Sequence, residues 1–145
     1  MGGAGIDISE SQVNLNDIKV SSNSGNGLSV SGVSSSVEVS NSEISDNSGF
    51  SGGVSVASRG QMSVINTTVS GNSSSGYGGG FWVVGGAHLT LNNVTVSGNS
   101  ADGRGGGVEV IAGGIVDLIN STVSGNSASS GGGIQVGTYL SLIHI

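Results

Sequence analysis

Few side chains in this sequence have the types and spacing that chemistry needs. Nine carboxylates are spread along 145 residues, against only Lys19, Arg59 and Arg104 as strong bases, and the net charge is −6. Asp102 and Glu109 lie near enough to each other to be weighed as the carboxylate pair of a glycoside hydrolase, in which one acid protonates the leaving oxygen and the other attacks or activates water. A polysaccharide lyase needs a strong base and a calcium ion held by several carboxylates. No two aspartates are adjacent, the acids are dispersed and the bases are isolated, so no catalysis is expected from this chain. Cysteine is absent, His88 is read as a lone turn histidine and His144 falls in a C-terminal stretch that departs from the pattern of the rest, so neither a metal nor a cofactor is expected. Gly2-Gly3-Ala4-Gly5-Ile6-Asp7 matches the first six positions of a calcium-binding nonapeptide, but only once and with Ser9 in a slot that should be apolar. Such loops bind calcium by stacking in tandem, and the segment reads better as a glycine turn.

The residues with most to offer a ligand surround Trp82, the one tryptophan. It lies between Phe81 and Val83 in an alternating stretch, so it points away from the core that those two enter. Tyr77 precedes it, Glu109 returns at the same phase one repeat later, and Asp102 and Arg104 occupy the turn before Glu109. Trp82, Tyr77, Glu109, Asp102 and Arg104 together make a candidate patch for stacking a sugar ring or a partner protein. The plainer reading is one surface aromatic among solvated charges.

What must position these residues is a repeat. The pattern [Val/Ile]-Ser-x-Asn-Ser occurs five times, with its anchor asparagines at Asn23, Asn47, Asn72, Asn99 and Asn126, which are 24, 25, 27 and 27 residues apart. Six residues before each anchor stands another short polar residue: Asp17, Asn41, Asn66, Asn93 and Asn120. After the later anchors comes a glycine run and then an apolar-x-apolar triplet, such as Phe81-Trp82-Val83 or Val108-Glu109-Val110. A second triplet follows, as in Leu89-Thr90-Leu91, and a third short strand carries the Val or Ile of the anchor motif. Period-2 alternation with Val, Ile and Leu inward describes strands. The return of the same types at the same phase describes stacked coils rather than hairpins. The expected fold is therefore all-β: a parallel β-helix of about six coils of 24–27 residues, with three short strands per coil. Asparagine suits the tight turns because it tolerates left-handed backbone, and a buried asparagine column satisfies its amides by bonding to the copies above and below. Asn66-Thr67-Thr68, Asn93-Val94-Thr95 and Asn120-Ser121-Thr122 also match the N-glycosylation sequon, which the ladder explains more simply.

Composition narrows the remaining classes. Hydrophobic residues make up 34% and recur in fixed places, which argues against a disordered Gly/Ser tract. No two of the three strong bases are near in sequence, so neither nucleic acid nor an anionic membrane surface is an expected partner. No stretch approaches the roughly 18 apolar residues of a spanning helix, and Met1 opens no signal-like segment.

The glycine pairs before an aliphatic (Gly105-Gly106-Gly107-Val108 and Gly131-Gly132-Gly133-Ile134) and the segment Val96-Ser97-Gly98-Asn99 resemble the short repeats of chlamydial-type polymorphic outer membrane proteins, whose second motif usually opens with Phe. More broadly, Gly2 to about Tyr139 is similar to right-handed parallel β-helices of the pectate-lyase-like superfamily, including autotransporter passengers. The resemblance implies right-handed coils, as does the general handedness of parallel crossovers. It also implies a tight turn at the Asn120-type position and a carbohydrate groove on the outer face of the glycine-preceded strand. A structural or adhesive passenger segment of a secreted or surface-exposed bacterial protein is the implied function, with glycans or host or neighbouring surface proteins as partners. The alternative is a fragment of a carbohydrate-active β-helix, a polysaccharide lyase or glycoside hydrolase, whose catalytic coils are missing. The β-helix is expected to span residues 1–139, uncapped and prone to end-to-end self-association. Residues 140–145, Leu140-Ser141-Leu142-Ile143-His144-Ile145, look like a translated sequencing adaptor and form a non-native tail whose phase sets His144 in a core slot.

Overall fold

Each repeat of the sequence forms one turn of a parallel solenoid. The computed structural model describes residues 2–138 and 142–145, and the described residues contain strands and turns without a helix. The chain makes about five turns. A first sheet of six strands runs through Ile6–Ser9, Leu28–Ser31, Val54–Ala57, Phe81–Val83, Val108–Val110 and Ile134–Val136. A second sheet of six strands, from Gln12–Asn16 to Leu142–His144, and a third of five, from Lys19–Ser21 to Thr122–Ser124, complete the walls. All pairings are parallel and join a strand to its copy in the next coil, so Leu28 stands beside Val54, Val54 beside Phe81 and Phe81 beside Val108. The inward residues of the triplets are buried almost without exception in the middle coils, Phe81 being the largest. Like stacks on like, which is why a narrow core suffices where only 3% of residues are aromatic.

The structure adds a fourth, shorter ladder to the three strand segments legible in each repeat. Ser48–Gly49, Ser73–Ser74, Ser100–Arg104 and Ser127–Ser130 pair in parallel just after the anchor asparagines. Apart from Asp102 and Arg104 these strands hold Ser, Gly and Ala, with no aliphatic alternation, so hydrophobic periodicity gives no sign of them.

The anchor asparagines form a continuous interior ladder. Asn47 Nδ2 donates to Asn72 Oδ1 at 3.0 Å and to the Val20 carbonyl at 3.0 Å. Asn72 repeats this with Asn99 Oδ1 at 2.9 Å and the Ile44 carbonyl at 3.0 Å. Each Oδ1 also accepts the backbone N–H of the asparagine one coil earlier, as Asn72 Oδ1 does from Asn47 N. Both amide hydrogens and both lone pairs of Asn72 are thus satisfied inside the solenoid. The glycines before the first strand make this possible. A Cβ on Gly53, Gly80 or Gly107 would fall 3.0, 3.2 or 2.9 Å from the ladder nitrogen of Asn72, Asn99 or Asn126.

The second polar column behaves differently. Asp17, Asn41, Asn66, Asn93 and Asn120 all have positive φ, between 48° and 56°, and they form the tight turn between the second and third strands. They are exposed. Asn93 Nδ2 donates to Asn66 Oδ1 at 2.7 Å and Asn66 Nδ2 to Asn41 Oδ1 at 3.3 Å. Asp17 departs from the expected ladder, because Asn41 reaches Asn16 Oδ1 instead, at 2.8 Å.

His144 also departs from expectation. Six-residue phasing sets it in the core, yet its strand is shifted by one position, and His144 stands opposite Asp117 on the outer face. Its Nδ1 lies 2.7 Å from Asp117 Oδ1.

Candidate functional site

The candidate patch is shaped by turn length. Six residues separate Asn47 from Val54, but eight separate Asn72 from Phe81 and Asn99 from Val108. The longer connection before Phe81 carries Tyr77, whereas Asp102 and Arg104, expected in a turn, lie in the strand Ser100–Arg104. The glycines that follow Tyr77 and Arg104 bend back over the outer face of the first sheet. Gly78, at φ 64°, packs against the Trp82 backbone, and Gly105, at φ 66°, packs against Cα and Cβ of Glu109. A side chain at either glycine would be strained by its φ and blocked by these neighbours. The outer face that the sequence leaves open is therefore roofed in these coils.

Trp82 and Tyr77 come together, and sequence reasoning missed the residue that joins them. Phe50, 55% exposed, meets Trp82 edge to face with centroids 5.7 Å apart, and Tyr77 likewise at 5.9 Å. The signal for Phe50 was its place outside any alternating triplet, in the turn that Tyr77 occupies one coil later. Room for the rings comes from Gly76, whose Cβ would strike the Phe50 ring, and Gly103, whose Cβ would strike the Tyr77 ring. Arg104 lays its guanidinium over Tyr77, with Cζ 5.3 Å from the ring centroid, a cation–π geometry. Trp82 itself is half-buried rather than fully outward, and its Nε1 is buried without a hydrogen-bond partner among the described residues.

Glu109 is the clearest correction to the expected patch. It stands beside Trp82 in the sheet register, but its side chain is fully buried, so no sugar can touch it. Neither carboxyl oxygen has a hydrogen-bond partner among the described residues. The nearest cation, Arg104, holds Nε 3.7 Å from Oε1, beyond hydrogen-bond range. Burial pushes the Glu109 carboxyl above the usual range, and the Arg104 charge offsets part of that rise. Ser51 Oγ, in the turn before Val54, is a further buried hydroxyl without a partner among the described residues.

Asp102 does not join Glu109. It is exposed and lines a shallow groove of about 450 Å³ that runs along the axis past Phe50, Ser48, Ser73 and Ser75. With Glu109 under its roof, the two acids do not form an exposed carboxylate pair. On the second sheet His88 opens a strand rather than a turn, and its Nε2 lies 2.6 Å from Asp117 Oδ2.

A family model described as a right handed beta helix region matches residues 1–144. The chain belongs to the right-handed β-helix family. No curated protein and no solved structure matches it. Within this β-helix the exposed chemistry is an aromatic shelf with one guanidinium and a hydroxyl-lined groove, suited to stacking and hydrogen bonding. The buried chemistry is one acid, Glu109, whose burial the Arg104 charge offsets only in part. Because the folded β-helix holds the Glu109 proton more tightly than the unfolded chain does, its charge lowers stability as pH rises from the ordinary glutamate value, about 4.3, through the raised one. Glu109→Gln is expected to raise stability at pH 7.5 by about 1 kcal/mol and to change it little at pH 4. Urea midpoints at the two pH values check this, and equal midpoint shifts would refute it.

Proposed function

We propose that this β-helix is a structural and adhesive segment of a secreted or surface-exposed bacterial protein, and that it binds glycans through the shelf of Phe50, Tyr77 and Trp82. The observation that carries the reading is the exposed Phe50 ring, wedged between two aromatics on a rod otherwise coated with Ser, Thr and Asn. Monomeric surfaces seldom build such clusters without a contact to make. Arg104, held over Tyr77, adds a donor fork at the rim for hydroxyl or carboxylate groups. The groove beside Phe50 continues the contact along the axis, where Ser48, Ser73 and Ser100 follow one another in register at about the 4.8 Å spacing of paired strands.

The test is a glycan array followed by titration of the best ligand. Phe50→Ala and Tyr77→Ala are each expected to weaken binding at least tenfold, about the 1.4 kcal/mol reached by a good aromatic contact, while Val33→Ala, an exposed residue away from the shelf, leaves it unchanged. Binding that survives both aromatic substitutions sinks the proposal. The groove along Phe50 and Asp102 also favours a second reading, a segment of a carbohydrate-active β-helix. Cleavage of the bound polysaccharide by the chain joined to neighbouring coils would distinguish it from adhesion.

A further inference from the structure

Four asparagines in this chain begin an Asn-x-Ser/Thr sequence: Asn66, Asn72, Asn93 and Asn120. The fold treats them in two ways. Asn72 is 1% exposed, and its amide nitrogen donates both hydrogens, to Asn99 Oδ1 and the Ile44 carbonyl. Asn66, Asn93 and Asn120 are exposed, on the same turn of three successive coils. Their positive φ of 48°, 56° and 48° lifts each off the strand line. Asn66 and Asn93 each give one hydrogen to the column, and Asn120 Nδ2 makes no hydrogen bond among the described residues. The threonine two positions on, Thr68, Thr95 or Thr122, is exposed at the start of the third-sheet strand. Asparagine and hydroxyl thus face solvent together, as a transferase that reads both requires.

We propose that Asn66, Asn93 and Asn120 are a column of N-glycosylation acceptors for a hexose supplied as a nucleotide-activated sugar. In the reaction the amide nitrogen bonds to the anomeric carbon and loses one proton. The bond from that carbon to the phosphate oxygen breaks, and the nucleoside diphosphate leaves with the electron pair. The product amide keeps one N–H and its carbonyl oxygen, so the column bond from Asn93 to Asn66 survives modification. Asn72 has no such spare hydrogen, and sugar there would require the coil to open.

The folded chain is incubated with a nucleotide-activated hexose and a soluble transferase of Asn-x-Ser/Thr specificity, under conditions that label a free peptide of residues 115–125. Occupancy is read by intact mass and peptide mapping. Hexose is expected on the column and absent from a Thr68→Ala/Thr95→Ala/Thr122→Ala variant. It is expected on Asn72 at about a tenth of the column level or less, since access there needs local opening. Urea-unfolded chain should lose this discrimination. A folded chain without hexose at all three positions overturns the proposal, and so does a folded chain that carries as much on Asn72 as on the column.

Discussion

Replacing Asn72 by leucine is expected to cost about 4 kcal/mol or more, enough to leave much of the chain unfolded, because it removes four buried hydrogen bonds worth about 1 kcal/mol each. Two are donated by Asn72, to Asn99 Oδ1 and the Ile44 carbonyl. Two are accepted by its Oδ1, from the side chain and backbone of Asn47. Leucine fills similar space but leaves the Asn47 backbone N–H and one hydrogen of the Asn47 side-chain amide unanswered, and takes a donor from the Ile44 carbonyl, in an interior where water cannot replace it. The loss propagates both ways, since every rung orients the next. Asn93→Leu gives the contrast. That position is exposed, gives one ladder bond, and loses only that bond and its tolerance of left-handed backbone, roughly 1–2 kcal/mol. Urea denaturation of the two variants checks the ranking, and a larger loss at Asn93 than at Asn72 would place the structural column on the outer turn instead.

That ranking marks where the sequence could be read and where it could not. The five anchor asparagines and the triplets of Val, Ile and Leu announced the coils because identical environments recur in them, and a recurring environment selects recurring residues. Both asparagine columns were visible for the same reason. Which column faces inward was not, because Asn is equally suited to an αL turn and to a buried ladder. The candidate site was legible only in part. Trp82 and Tyr77 were found as unusual residues, but Phe50 touches both across coils, and that pairing follows from stacking rather than from spacing in the chain. Glu109 was misplaced for a definite reason. Alternation says which face of a strand a residue takes, and it says nothing of a turn folding over that face, as Gly105 does. The fourth ladder of Ser and Gly lay beyond any hydrophobic pattern.

Gly80→Ala should be nearly as damaging as loss of a ladder asparagine, and it separates the two explanations for the glycine runs. The first explanation is backbone freedom, which would apply to every glycine at this phase of the repeat. The second is room. A Cβ on Gly80 would stand 2.6 Å from the Gly107 carbonyl oxygen, 2.9 Å from Val96 Cγ1 and 3.2 Å from Asn99 Nδ2. The first of these contacts is with a carbonyl that itself pairs the two coils, accepting from Phe81 N at 2.8 Å. The coils must part or the ladder must shift, and we expect a loss of about 3 kcal/mol from overpacking with one weakened hydrogen bond. Gly133 holds the same place in the motif, before Ile134. Among the described residues a Cβ there would meet only Val123 Cγ1, at 3.9 Å, an ordinary contact, and no positive φ opposes it. Gly133→Ala should therefore be neutral, or stabilise by about 0.4–1 kcal/mol through a less flexible unfolded chain. Thermal or urea unfolding of both variants decides the matter. Equal losses would mean that the glycines serve the backbone, whereas a loss confined to Gly80 means that they clear the space in which the asparagine ladder stands.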